Sequence, residues 1–130
     1  MGTTMTDQVT FDRIGQIAIR VKDGARAVRF YRDTLGMRFL FEVPNLAFFD
    51  CGGIRLMLSP AESPEFDHPG SVIYYKVPDI NAQYAALNKR GVEFIDEPHL
   101  IAKMPDHDLW MVFFRDSEGN TLAMMSEVAR

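Results

Sequence analysis

At 130 residues, 47% of them hydrophobic, 12% aromatic and 25% charged, the chain has the size and composition of one globular domain, able to bury a core without a disulfide or structural metal. A net charge of -4, with lysines and arginines scattered singly, excludes the basic stripe of a nucleic-acid binder, and no apolar run reaches the ~18 residues of a membrane span. The lone Cys51 excludes an internal disulfide and points to the reducing cytoplasm, while the polar start of the chain carries no secretion pattern. Gly2 followed by Thr6 matches the loose N-myristoylation pattern, a motif too short to separate from chance.

In chain order, Gln16 to Asp23 alternates apolar and polar residues and predicts a strand. Asp23 is a good helix N-cap, and Ala27, Phe30, Tyr31, Thr34 and Leu35 recur at helical spacing until Gly36 ends the run. Strands are predicted over Arg38–Val43, Leu46–Asp50 and Ile54–Ser59, separated by the turn signals Pro44-Asn45 and Gly52-Gly53. A polar linker follows, over 61–70. The pattern then repeats. A strand over Val72–Val77 leads into a helix opened by Pro78 and Asp79, with Ile80, Tyr84 and Leu87 as its buried stripe and Gly91 as its stop. Strands over Glu93–Ile95, Leu109–Arg115 and Thr121–Met125 complete the second half.

Gln16 corresponds to Val72 and Phe39 to Phe94, offsets of 56 and 55, whereas Gly53 corresponds to Gly119, an offset of 66. The second copy therefore carries 11 extra residues, which fall in Glu97–Asp108. With two prolines and no clean periodicity, this stretch reads as a long loop. The expected fold class is α+β: two βαβββ units in one domain, about 13–60 and 71–127.

Residues two apart on a strand share a face, so the alternation sorts the side chains. Ile17, Ile19, Leu56, Leu58, Ile73, Tyr75, Leu122 and Met124 form an apolar face suited to packing on helices. The opposite face is mixed: Gln16, Ala18 and Arg20; Arg55, Met57 and Ser59; Val72, Tyr74 and Lys76; Thr121, Ala123 and Met125. Such a face is either a solvated surface or a concave pocket.

The chain resembles the glyoxalase/bleomycin resistance/dioxygenase (vicinal oxygen chelate) superfamily. The resemblance rests on Ile14-Gly-Gln-Ile-Ala-Ile-Arg-Val-Lys-Asp23, Phe30-Tyr-Arg-Asp-Thr-Leu-Gly-Met37, Val77-Pro-Asp-Ile80 with Lys89-Arg-Gly-Val92, and Phe114-Arg-Asp-Ser-Glu-Gly-Asn-Thr-Leu122, and it spans nearly the whole chain. It implies a cupped mixed sheet with helices on its convex face, and in the cup four ligands that hold a divalent metal chelating vicinal oxygens of the substrate. Carried over residue by residue, those positions are Gln16, Met57, Val72 and Ala123. Only Gln16 keeps a family ligand type, because a thioether and two aliphatic chains replace two carboxylates and an imidazole. The resemblance thus implies no metal at the family site and no cofactor, as in the metal-free drug-binding branch; a divalent metal at another site is the alternative. It also implies a homodimer.

Arg20, Arg55 and Lys76 share the mixed face and either hold an anionic ligand or form surface ion pairs. His99, His107 and Asp108, beside Trp110, supply a proton-transfer pair, a relocated metal site or an aromatic lid, or else form a hydrogen-bonded loop with a core tryptophan. Tyr74 donates to a ligand or fills the cup, His68 reads as a surface residue, and Cys51 reads as a small buried hydrophobe. The leading reading is a binder of a small anionic or aromatic molecule through Gln16, Arg20, Arg55, Met57, Tyr74, Lys76, Trp110 and Ala123. An enzyme (a lyase, an isomerase or a dioxygenase-like protein) using His99, His107 and Asp108 is the second, and a protein interaction module the third.

Overall fold

The computed structural model describes residues 9, 11–61, 64, 67–68 and 70–129; Gly2, Thr6 and part of the 61–70 linker lie outside them. The first half runs β1 (Gln16–Arg20), α1 (Gly24–Arg29), β2 (Arg38–Val43), β3 (Leu46–Cys51) and β4 (Ile54–Ser59). Its sheet has the order β1-β4-β3-β2, with β1 parallel to β4 and the other pairs antiparallel. The second half runs β5 (Ile73–Lys76), α2 (Ile80–Lys89), β6 (Glu93–Phe94), β7 (His99–Lys103), β8 (His107–Arg115) and β9 (Thr121–Ala129). Its order is β5-β9-β8-β6, with β5 again parallel to β9 and β7 also paired to β8. The first half is thus a βαβββ unit and the second the same unit with one added strand, β7; in each the closing strand lies beside the first.

The caps form where the sequence places them. Asp23 and Asp79 each take extended backbone and accept, through Oδ1, the amide of Arg26 and of Ala82 respectively, both at 3.1 Å. After Arg29 the first helix widens into a π-helical turn over Phe30–Thr34, closed by the Leu35 amide on the Phe30 carbonyl at 2.9 Å. Gly52 and Gly53 both take positive φ in the tight β3–β4 hairpin, a conformation that side chains with a Cβ resist.

The 97–108 stretch is corrected from loop to strand. His99–Lys103 pairs antiparallel with β8 on the edge that β6 also uses, with a bulge between Leu100 and Ala102. Between β6 and β7, Asp96 accepts the Phe113 amide at 2.9 Å and keeps the edge in line. The two prolines bound the strand rather than forbid it: Pro98 precedes it and Pro105 lies in the following turn, where no ladder donor is needed.

One apolar core serves both units. Tyr31, Phe49, Leu56 and Leu58 from the first join Ile80, Leu87, Val112, Phe114, Leu122 and Met124 from the second. Each such side chain contributes about 1.5–3 kcal/mol by leaving water.

Candidate functional site

The parity that buries Ile19, Leu56, Leu58, Leu122 and Met124 sends Ala18, Arg20, Met57, Ser59 and Thr121 to the opposite side. Between the two units, along the edge strands β1 and β5, lies a cleft of about 1050 Å³ lined by residues of both parities, Ile19 and Leu122 as well as Ala18, Arg20 and Thr121. Its wall is mostly apolar, with Ile17, Ala18, Met57, Val72 and Ile73, and its polar groups include Arg20, Ser59, Arg115 and Asn120. His68, read from sequence as a surface residue, is exposed and also lines the cleft. A smaller hollow of about 460 Å³ adjoins it through Met57, Ser59, Pro60 and Ala61.

Arg20 is the best-placed charge. Its side chain is only 17% exposed, at the end of β1. Nη1 donates to Asp67 at 3.2 Å, and Nη2 makes a long 3.5 Å contact with Asn120 Oδ1. Nε is buried, with no hydrogen-bond partner among the described residues. Asn120 reaches Arg20 a second time by donating Nδ2 to its backbone carbonyl at 2.8 Å.

Asn120 is itself held by the β8–β9 turn, 116–120. Asp116 accepts from the Glu118 and Asn120 amides, from Asn120 Nδ2 and from the Tyr31 hydroxyl, the last at 2.7 Å. Burial, then the adjacent Asp116 charge and this bond, raise the Tyr31 hydroxyl well above its ordinary value, so it stays a neutral donor. Glu118, 3% exposed, accepts the Lys22 and Asp23 amides at 2.7 and 2.8 Å and the Arg26 fork at 2.8 and 3.1 Å. Burial pushes its carboxyl up, but those bonds, with one from Ser117, outweigh it and hold the group down at about 2. The turn of the second unit thereby clamps the helix start of the first and fixes Arg20 at the cleft.

On the first sheet, Gln16, Arg55 and Met57 adjoin. Arg55 Nε donates to Gln16 Oε1 at 2.9 Å, its guanidinium lies over the Phe48 ring at 5.5 Å, and Gln16 Nε2 points at Met57 Sδ at 3.7 Å. Only Met57 of the three lines the cleft. On the second sheet, Tyr74, Ala123 and Phe113 form one cross-strand row, and the two rings meet edge to face at 5.8 Å. Ala123 is fully buried there, and Tyr74 is 45% exposed outside the cleft. Lys76 pairs with Glu127 at 2.9 Å on the surface.

The loop constellation does not assemble. His99 stands opposite Met111, four residues along β8 from His107, so their backbones are roughly 13 Å apart by strand rise. His99 Nδ1 contacts the Glu97 carbonyl at 2.8 Å, and His107 Nδ1 lies 2.7 Å from Asp106, whose carboxyl is lowered by that bond. Asp108 alternates with His107 to the opposite face of β8, and none of the three lines the cleft. Trp110 shares the parity of Val112 and Phe114 and packs against the core, the second of its two expected roles, and it does not line the cleft. Cys51 is partly buried, and burial, helped by Asp50, raises its thiol. Among the described residues no group of three or more His, Cys, Asp or Glu is placed to hold a metal ion.

Arg115, Asn120 and Asp67 escaped the sequence reading. Arg115 was readable: it lies on β8 two residues beyond Phe113, opposite Thr121. Asn120 was quoted as part of a turn, and only its contacts show that it grips Arg20. Asp67 carried no signal, because no periodicity places a linker residue over a strand that ended at Arg20.

Comparison with known proteins gives this architecture its relatives. The family model described as Glyoxalase/Bleomycin resistance protein/Dioxygenase superfamily matches residues 13–124. A "Glyoxylase-like domain-containing protein" of Didymella fabae is 29% identical, the match covering 89% of this chain and 94% of that one. A superfamily member from Sphaerobacter thermophilus DSM 20745 has a similar crystal structure, with TM-score 0.76, 24% identity and coverage of 90% and 98%. So has TnmS3, an antibiotic binding protein from Streptomyces sp. CB03234, with TM-score 0.73, 23% identity and coverage of 92% and 99%. Since the family model takes in both units, from the strand that carries Arg20 to the one that closes the second sheet, the chain belongs to the glyoxalase/bleomycin resistance protein/dioxygenase superfamily.

Proposed function

We propose that the protein binds a small organic acid in the cleft between its units, without a metal. The observation that carries this reading is Arg20: a guanidinium 17% exposed that lines a mostly apolar hollow of about 1050 Å³. A guanidinium beside an apolar wall binds an entering anion more strongly than it would in open water. The lining suits a molecule with an apolar body and one anionic end.

The residues at the family's metal positions do not fit a divalent cation. Gln16 Oε1 already accepts from Arg55, Met57 offers a thioether, Val72 offers no donor, and Ala123 is sealed beneath Tyr74 and Phe113. The antibiotic-binding role of TnmS3 is compatible with this reading. So is a cytoplasmic homodimer, in which a second copy covers Leu40, Phe41 and Val43 on the edge strand β2, exposed by 38%, 46% and 45%.

The test joins elemental analysis of protein purified without added metal to a thermal-shift screen of small aromatic and aliphatic acids against their amides. We expect less than stoichiometric metal, a rise in melting temperature with acids but not amides, and loss of that rise in Arg20→Ala. Stoichiometric zinc, nickel, manganese or iron, or a screen in which no compound shifts the transition, overturns the reading.

A further inference from the structure

The cleft and the smaller hollow beside it are lined in common by Met57, Ser59, Pro60 and Ala61, and the hollow is completed by Asn45 and Leu46, where β2 turns into β3. Of the four shared residues only Met57 carries a long, unbranched and adaptable side chain; the others are small or ring-locked. Met57 is half-buried on β4, between Ala18 of β1 and Phe48 of β3, and its Sδ is met only weakly by Gln16 Nε2, at 3.7 Å. Ser59, two residues further along β4, is the register partner of Arg20. By strand rise, Met57 therefore stands about 7 Å along the sheet from the level of Arg20.

We propose, resting on the reading of the cleft as an acid-binding site, that Met57 is the partition between the two hollows and sets the length of acid that the cleft accepts. A short apolar body anchored at Arg20 ends before the thioether. A rigid body longer than about 7 Å runs into it and is turned out towards solvent. Behind the partition lies a hollow of about 460 Å³, with Leu46 on its wall, that a second ring enters once the side chain is shortened. The selection is by bulk, and the sulfur itself is dispensable.

The experiment measures, by calorimetry, the affinity of biphenyl-4-carboxylate relative to benzoate for wild type, Met57→Ala and Met57→Leu. A ratio of two acids with the same anchor cancels any effect of the substitution on Arg20 or on stability. Shortening the side chain should raise the ratio about tenfold over wild type, the worth of burying about 60 Å² more of the second ring. Met57→Leu loses the contact with Gln16 but keeps most of the volume, and its ratio should stay within about twofold of wild type. In wild type the Met57 methyl resonance, identified by its loss in Met57→Leu, should shift further with saturating biphenyl-4-carboxylate than with benzoate. An unchanged ratio in Met57→Ala, a ratio in Met57→Leu as high as in Met57→Ala, or a Met57 methyl signal unmoved by the longer acid overturns this inference. If those results come while acids still stabilise the protein and Arg20→Ala still abolishes the effect, the broader acid-binding reading survives; if neither acid binds, both fall.

Discussion

The two flanks of the β8–β9 turn use the same kinds of side chain to opposite ends. On one flank, Glu118 and Asp116 are saturated: the carboxylates face backbone amides, the Arg26 fork and the Tyr31 hydroxyl at 2.7–3.1 Å. On the other, Arg20 has one 3.2 Å ion pair, one 3.5 Å contact and a buried nitrogen with no partner among the described residues. A buried polar network with every member satisfied holds a structure together; one left open beside a hollow is a place where something else completes it. Saturation thus marks the joint between the units, and incompleteness marks the site.

The largest break in that contrast should come from Glu118→Ala. It strips the acceptor from the Lys22 and Asp23 amides and leaves Arg26, 48% exposed, to find water. Because the amides are less able to do so, a loss of about 2–3 kcal/mol is expected in urea unfolding. The same group gives a pH dependence. Its carboxyl is held at about 2 in the folded state against 4.5 ordinarily, so its contribution is complete above about pH 4.5 and lost as the pH falls towards 2. The melting temperature of wild type should drop through that window more steeply than that of Glu118→Gln, and parallel acid profiles would sink the assignment.

Arg20→Met should act the other way. Removing a guanidinium with an unsatisfied buried nitrogen and filling the space with a flexible apolar chain should leave stability within about 1 kcal/mol of wild type, or raise it. The response to acids should vanish. A destabilisation as large as that of Glu118→Ala would show that Arg20 belongs to the joint after all.

The same contrast explains what was legible in the sequence. Strand parity is a local property, so Ile19, Leu56 and Leu122 could be assigned to the core, and Arg20 and Met57 to the other face, from spacing alone. The caps Asp23 and Asp79 were legible for the same reason. Which cup-face residues converge is not local: Gln16 and Arg55 satisfy one another and stand outside the cleft, while Arg115 lines it. The 97–108 stretch was misread because its prolines were weighed as strand breakers without knowing that they fall at the strand's ends. The core reading of Trp110 follows from alternation counted back from Val112 and Phe114.

The smallest expected effect tests why the family's metal positions are unsuited to a cation. Two explanations compete: Arg55 blocks Gln16 by occupying its carbonyl oxygen, or the other three positions have too little to offer. Arg55→Met separates them. It frees Gln16 Oε1 and removes one exposed hydrogen bond and a cation–π contact with Phe48, for which a stability change under about 1 kcal/mol is expected. The freed amide has the Met57 thioether beside its nitrogen, and Ala123 lies closed beneath an aromatic pair. One neutral oxygen does not strip water from zinc or manganese, so neither ion should alter the unfolding midpoint of the variant. A variant that takes up one equivalent of metal would place the obstruction in a single arginine rather than in the missing donors.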